Sequence, residues 1–436
     1  MRLPAQDGAG AADHRRGLSG DRCRTGRRRR QPGRFVPVGR SQLSLGVRGV
    51  AACVLLIAAL GACRSTPSSP TVASLSATGK VRGPAKVRVR LAEVDGAREL
   101  RVLGDAGDPV TFERAGEFVR RGDGRLARDF RLAPADSDGA LTLAATPYPG
   151  ELWIAARPSG GLRVENRVDL EQYVAGVVAG ELALWSAEPA ELEAQAVAAR
   201  TYAVASLLGR GPGGFLWDDV RDQVYAGRHV PDASDGGRAA ARRLERALGA
   251  TRGLALFVGD DLLDARYHAA CGGSTARTED VFGAATGPGS PAVDCAPCAR
   301  SERDRWEWTA PAADLARAAG ALDLGERLES LVPERVDAAG RWLSVRLHGP
   351  SRRRTVELTE LRGLLDPERL ASAGDLRTWP PPGRPITGGL HFSGRGRGHG
   401  VGLCQEGARG YARMGWDYER ILSHYYPGAT LETLGR

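Results

Sequence analysis

The sequence predicts an α+β fold, in which a domain of mixed helices and antiparallel strands follows an N-terminal β-rich region. Three observations carry this. Between residues 86 and 168, short alternating apolar runs recur between Gly, Pro and Asp turns such as Tyr148-Pro149-Gly150, the pattern of half-buried strands. From Val168 to Ser206 the apolar spacing changes to three-four, the period of a helix. Beyond Leu254, strand-type runs and short helical stretches alternate to the C-terminus.

The first 62 residues read as a leader and lipoprotein signal peptide. Val50–Leu60 is an apolar run too short for a comfortable membrane span. Arg48 supplies its positive flank, and it ends in Leu60-Gly61-Ala62-Cys63. That tetrapeptide resembles a bacterial lipoprotein cleavage box, which makes Cys63 the lipidated first mature residue. The expected location is therefore the cell envelope, outside the cytoplasm and anchored to a membrane by lipid. An ordinary signal peptide or a buried strand is the alternative. Met1 and Met414 are the only methionines, so a valine such as Val47 is another candidate start, and the leader is excluded from the fold. The Ser/Thr/Pro-rich stretch that follows gives residues 63–82 the composition of a flexible tether.

Charge excludes one class of function. Twelve Arg and three acidic residues precede Cys63, which accounts for the whole net charge of +9; after it, 49 basic residues face 49 acidic ones. A neutral body gives no support to nucleic-acid binding.

Residues 83–161 form the expected β-rich region, with runs at Lys86–Ala92, Glu99–Leu103, Leu141–Ala145 and Leu152–Ala155. The main domain is expected over 162–433. Its first helix follows the run Leu162–Val168, with Asp169 as cap and Glu171 in the first turn. Leu170, Tyr173, Val174, Val177 and Val178 make one buried stripe, and Glu181 falls on it. A carboxyl there is either paired with a cation or kept protonated, and a protonated carboxyl beside a cleft is a general acid. If the helix ends at Gly180, Glu181 turns outward instead.

The second helix begins near Pro189 and is rich in alanine, so it can pack close to its neighbours. Arg200 interrupts it. A solvated cation is the ordinary reading of such an arginine; pairing with Glu181 or a substrate hydroxyl is the functional one.

Leu254–Val258 and Leu262–His268 read as a β-hairpin ending in His268-Ala-Ala-Cys271, and Cys295-Ala-Pro-Cys298 follows. His268, Cys271, Cys295 and Cys298 make a ligand set of the tetrahedral zinc type. With four protein ligands and no open position, a zinc ion there would be structural. A Cys295–Cys298 disulfide with Cys271 free, or His268 in a substrate pocket, are the alternatives. A supporting insertion is expected around 305–380, with a helix over Ala312–Ala319 and strands at Leu328–Val336, Trp342–Leu347 and Thr355–Leu358. Alternate glycines from Gly394 to Gly402 then surround Arg395, Arg397 and His399 before a helix near Leu403. No Gly-Lys-Ser/Thr follows, so this is not a phosphate loop. Asp417 caps a last short helix.

Three ordered blocks carry a family resemblance. The Glu181 block with EAQAVAARTYA, YHAACGG at 267–273, and GRGRGHGVGLCQEGARGYA with the closing ILSHYYPG resemble the SpoIID/LytB family of peptidoglycan-active proteins over roughly Leu162 to Leu431. The resemblance implies a lytic transglycosylase: sporulation-type members cut between N-acetylmuramic acid and N-acetylglucosamine, leave a 1,6-anhydro end, and act best on strands stripped of stem peptides. LytB-type members instead modify an amidase partner. The family's catalytic glutamate matches Glu181 and its Ala-Arg-Thr arginine matches Arg200. Leu182 stands where the family usually has Met, and Cys404 where Ser is common; not all members carry the His/Cys set.

A single carboxyl suits this reaction, because one group acts first as acid and then as base, whereas hydrolysis ordinarily needs two. No cofactor is required for the chemistry. Gln195, His268, Ser274, His399 and Gln405 are candidates for sugar hydroxyl and N-acetyl contacts. The rival reading is a non-catalytic glycan-binding protein or an activator of a cell-wall amidase. A zinc peptidase is disfavoured, because neither H-E-x-x-H nor an open three-ligand set occurs.

Overall fold

The computed structural model describes residues 74–75 and 81–435, except 105–106, 137, 230–233, 284–286 and 303. The leader, Cys63 and most of the stretch read as a tether lie outside the described residues. The end of that stretch is strand: Val81–Arg82 pairs with Ser74–Leu75.

The chain is α+β. Its N-terminal strands build two sheets. One is six-stranded, in the order 146–149, 140–143, 99–103, 109–115, 118–121, 126–127; the other is five-stranded, in the order 216–217, 86–90, 162–169, 151–156, 129–132. Alternation in the sequence becomes sidedness here: in Lys86–Arg90, Val87 and Val89 are fully buried and Lys86, Arg88 and Arg90 take the opposite, more exposed side. The strand Leu162–Asp169 runs straight into helix α1 (Leu170–Glu181), because Asp169 ends the strand and accepts the Glu171 and Gln172 amides as cap.

Helix α2 (Pro189–Arg210) opens on a capping box between Glu188 and Glu191. Ala194, Ala196, Ala198, Ala199 and Ala203 are fully buried, which lets α1, α3 (Asp235–Ala250) and the strand Leu254–Val258 crowd against it. Sequence inspection raised no helix over 235–250; Ser234 caps it through the Gly237 amide.

The expected hairpin after Leu254 breaks off early. Leu254–Val258 pairs with Asp261–Leu262 for two residues only, and its other edge takes Thr430–Thr433. Tyr267–His268 instead runs parallel to Leu403–Cys404. That pairing brings two blocks, far apart in sequence, edge to edge. Short helices α4 (Thr278–Phe282) and α5 (Ala296–Ala299) follow.

The span 305–380 has its own core, with Trp306, Leu315, Val345 and Leu361 buried together. It holds α6 (Ala312–Ala321), α7 (Leu358–Leu365) and the sheet 330–336, 342–348, 353–357. Its boundary is not clean: Leu390–Arg395 pairs with both Arg305–Ala310 and Gly374–Trp379. Helices α8 (Gln405–Arg413) and α9 (Tyr418–Tyr425) close the chain, the latter capped by Asp417 as expected. Among the described residues no helix is long and apolar enough to cross a membrane.

Candidate active site

Two glycines on α1 build the site. A Cβ on Gly176 would lie 2.3 Å from the Gly227 carbonyl oxygen, and one on Gly180 would lie 2.5 Å from that of Val224. The bare helix side lets the 224–227 segment lie directly on it, and the Ala226 amide bonds back to the Gly176 carbonyl. The Val224 amide then points at the last residue of the helix and donates to Glu181 Oε1 at 2.8 Å.

Glu181 is thus inside the helix and partly buried, neither turned outward nor paired with a cation. Tyr267 Oη donates to the same Oε1 at 3.2 Å, and Gln405 Nε2 approaches Oε2 at 3.4 Å. Behind Tyr267 the donors line up: Tyr173 Oη donates to Gln223 Oε1, and Gln223 Nε2 donates to Tyr267 Oη. Burial raises the Glu181 carboxyl above its ordinary range, and the three hydrogen bonds to it oppose this with smaller effect. Since Oε1 already takes two donors, Oε2 is the oxygen left to carry a proton.

Glu181 lines an open cavity of about 630 Å³ with Tyr267, His268, Phe282, His399 and Gln405 among its walls, a size in the range of small-ligand sites. Arg266 and Arg397 add positive charge to it. Two other carboxylates line the cavity, Asp222 and Glu368. Asp222 is occupied by Arg210, the Tyr202 hydroxyl and the Trp217 amide; Glu368 is exposed.

The backbone of Val401 holds both histidines. Its carbonyl accepts from His268 Nδ1 at 3.0 Å and its amide donates to His399 Nδ1 at 3.1 Å. Burial lowers His268 to about 4 and holds His399 well below the ordinary imidazole value. His268 Nε2 is left as a buried acceptor without a partner among the described residues. The ring of His399 also bonds the Tyr267 backbone, so it serves as wall rather than as a free polar contact.

The other expected residues divide. Gln405 lies at the cavity, and Gln195, buried behind it, accepts from Gln405 Nε2 at 3.4 Å. Ser274 does not line the cavity; its carbonyl accepts from Arg341. Arg200 does not meet Glu181. Its fully buried guanidinium is bidentate to Glu171, at 2.9 and 2.6 Å, and also reaches the Leu254 carbonyl. Glu171 lies ten residues before Glu181 on the same helix, about 15 Å along its axis. The pair satisfies a buried cation far from the cavity and ties α1, α2 and the 254–258 strand together. The metal set changes too: Cys271, Cys295, Cys298 and Cys404 cluster, and His268 is not among them.

Sequence reading missed Tyr267, although it opens the YHAACGG block, and it missed the 223–227 segment. The only local trace of the latter was the pair of glycines at 176 and 180, which read as helix-weakening until something is seen to lie on them.

Fold and site together define an α+β protein built around one buried carboxyl group at the end of a helix in an open, partly cationic cleft. Over part of its length the chain is similar to the SpoIID/LytB family. Residues 158–257 match the family model described as Stage II sporulation protein, SpoIID. The chain is 27% identical to Stage II sporulation protein D of Bacillus subtilis over 302 residues, 68% of this chain and 82% of that one. It is 28% identical to the Bacillus amyloliquefaciens protein of the same name over 276 residues, 62% and 75% of the two chains. A shorter match, 52% over 40 residues, covers 9% of this chain and 6% of the amidase enhancer of Bacillus subtilis.

Proposed function

We propose that this protein acts at the bacterial cell wall as a peptidoglycan lytic transglycosylase, with Glu181 as acid and then base. The observation that carries this is a carboxyl at the end of α1 raised by burial, with Oε1 held by the Val224 amide and the Tyr267 hydroxyl and Oε2 meeting Gln405 at 3.4 Å. Oε2–H gives its proton to the glycosidic oxygen as the bond to the muramic anomeric carbon breaks. The same carboxylate then takes the proton of the muramic C6 hydroxyl as that oxygen closes the 1,6-anhydro ring. No water is consumed, and Glu181 ends protonated.

The cationic side of the cleft suits strands stripped of stem peptides, because removing the peptide leaves a free lactyl carboxylate. Arg397 is exposed on the cavity and makes no side-chain ion pair among the described residues. Cys63, as a lipid-bearing first mature residue, would hold the enzyme at a membrane outside the cytoplasm.

The short match to an amidase enhancer favours one other reading, a non-catalytic glycan binder that activates a cell-wall amidase. Purified protein incubated with denuded glycan strands separates the readings. Wild type and Glu368→Gln should release anhydromuramic ends, and Glu181→Gln should release none. Glycan that sediments with wild-type protein but stays uncut, together with stimulation of an added amidase, would sink the enzyme reading. Reducing ends in place of anhydro ends, lost on Glu368→Gln, would make the protein a two-carboxylate hydrolase.

A further inference from the structure

Behind the cleft wall lie four buried cysteines from three distant segments: Cys271 in the Cys-Gly-Gly turn, Cys295 and Cys298 around α5, and Cys404 at the start of α8. All four are free thiols, and their Sγ atoms lie within 4.8 Å of one another. A tetrahedral ion with metal–sulfur bonds of about 2.3 Å sets its sulfurs about 3.8 Å apart, so this cluster needs to contract by only about 1 Å at its widest.

Backbone donors face the sulfurs, while Asp304 Oδ2 accepts from Cys298 Sγ at 2.8 Å and must turn away or take up a proton when that thiol loses its own. Backbone amides donate to sulfur from Cys271 to Cys404 at 3.3 Å, from Gly272 to Cys298 at 3.2 Å, from Gly273 to Cys271 at 3.4 Å and from Gly407 to Cys404 at 3.3 Å. Gly272 and Gly273 have φ of +79° and +135°, which lets successive amides turn inward. A Cβ on Gly407 would stand 2.3 Å from Cys295 Sγ, so only glycine fits against the cluster. Arg341, buried and belonging to the span 305–380, donates to the Cys271 and Ser274 carbonyls beside it.

We propose that Cys271, Cys295, Cys298 and Cys404 form a closed tetrathiolate site for one structural zinc ion, with His268 excluded from it. Binding releases four thiol protons to solvent and leaves a net charge of −2, which the inward amides and the Arg341 guanidinium offset. The site belongs with the cleft by position. Cys404 caps α8, whose first residue is Gln405, and Leu403–Cys404 pairs with Tyr267–His268. A bound ion therefore fixes the wall that presents Tyr267 and Gln405 to Glu181 while taking no part in the reaction. The rival state for an exported chain is a pair of disulfides.

Elemental mass spectrometry on the purified full chain, with no glycan present, tests this independently of the enzymatic reading. Wild type and His268→Ala should each carry one zinc, and Cys404→Ser should lose it by tenfold or more. Cobalt exchanged into wild type should give the charge-transfer and visible bands of a tetrahedral site with four thiolates, which decides the matter if Cys404→Ser does not fold. A metal-free native protein with no titratable thiols in denaturant, a cobalt spectrum of three thiolates and one imidazole, or zinc lost from His268→Ala and kept in Cys404→Ser would each overturn the assignment.

Discussion

Gln405 Nε2 lies 3.4 Å from Glu181 Oε2 and equally 3.4 Å from Gln195 Oε1. One side-chain amide therefore couples the end of α1 to the middle of α2 from the start of α8. Gln195 Nε2 is buried without a partner among the described residues. If both amides turn over together, Gln405 can accept from a protonated Oε2 and from Gln195 Nε2. The pair thus matches either protonation state of the carboxyl.

This fixes what Glu181→Gln should do to stability. The folded-state pKa of Glu181 lies above its ordinary value because of burial. Its charged form therefore costs stability, by an amount that is absent below the ordinary carboxylate range and grows as pH rises through the folded value. Thermal unfolding should show Glu181→Gln more stable than wild type at neutral pH, with the difference vanishing in acid. An equal gain at all pH values would show that the carboxyl is not perturbed.

Removing one donor should shift the pH profile of glycan cleavage. Tyr267 stabilises the charged carboxylate by donating to Oε1, so Tyr267→Phe raises the Glu181 pKa further and moves the alkaline limb to higher pH. The midpoint of the alkaline limb in anhydro-end release checks this. A limb moving to lower pH would assign Tyr267 a different role.

Arg200→Ala should cost about 3–5 kcal/mol in urea unfolding, because a fully buried side chain is lost and the partly buried Glu171 carboxylate is left without its cation. Replacing the pair together, Glu171→Leu with Arg200→Met, should recover much of that loss. An arginine that contacted substrate would give the opposite pattern, with stability kept and glycan binding lost.

Gly180→Ala inverts the usual helix rule. Alanine ordinarily stabilises a helix interior by about 1 kcal/mol over glycine. Here its Cβ would meet the Val224 carbonyl, and overpacking of that kind costs about 1–3 kcal/mol. A net loss of stability, with slower glycan cleavage because the Val224 amide is displaced from Glu181, is the expected result in unfolding and product assays.

Local signals carried most of the helical part of this fold into the sequence. Asp169 and Pro189 mark both helix starts, and the stripe from Leu170 to Val178 places Glu181 on the buried face. Which partner a buried group meets was not legible. Glu171 and Glu181 are both acids on α1, and nothing in their spacing says that Arg200 reaches the first. His-x2-Cys resembles a zinc knuckle, yet the parallel pairing of 267–268 with 403–404 delivers Cys404 to the sulfurs and leaves His268 on Val401. Such pairings join residues more than a hundred positions apart, beyond the reach of any local pattern.

The bonds made by Val401 carry a consequence for how the cleft responds to acid. A peptide group does not titrate, so the tautomers of His268 and His399 are inherited from the path of the chain. Charging His399 on Nδ1 would set two N–H groups against each other and push the strand away from its ring. At neutral pH both rings are uncharged, so a change of charge on Glu181 is not accompanied by one on the histidines beside it.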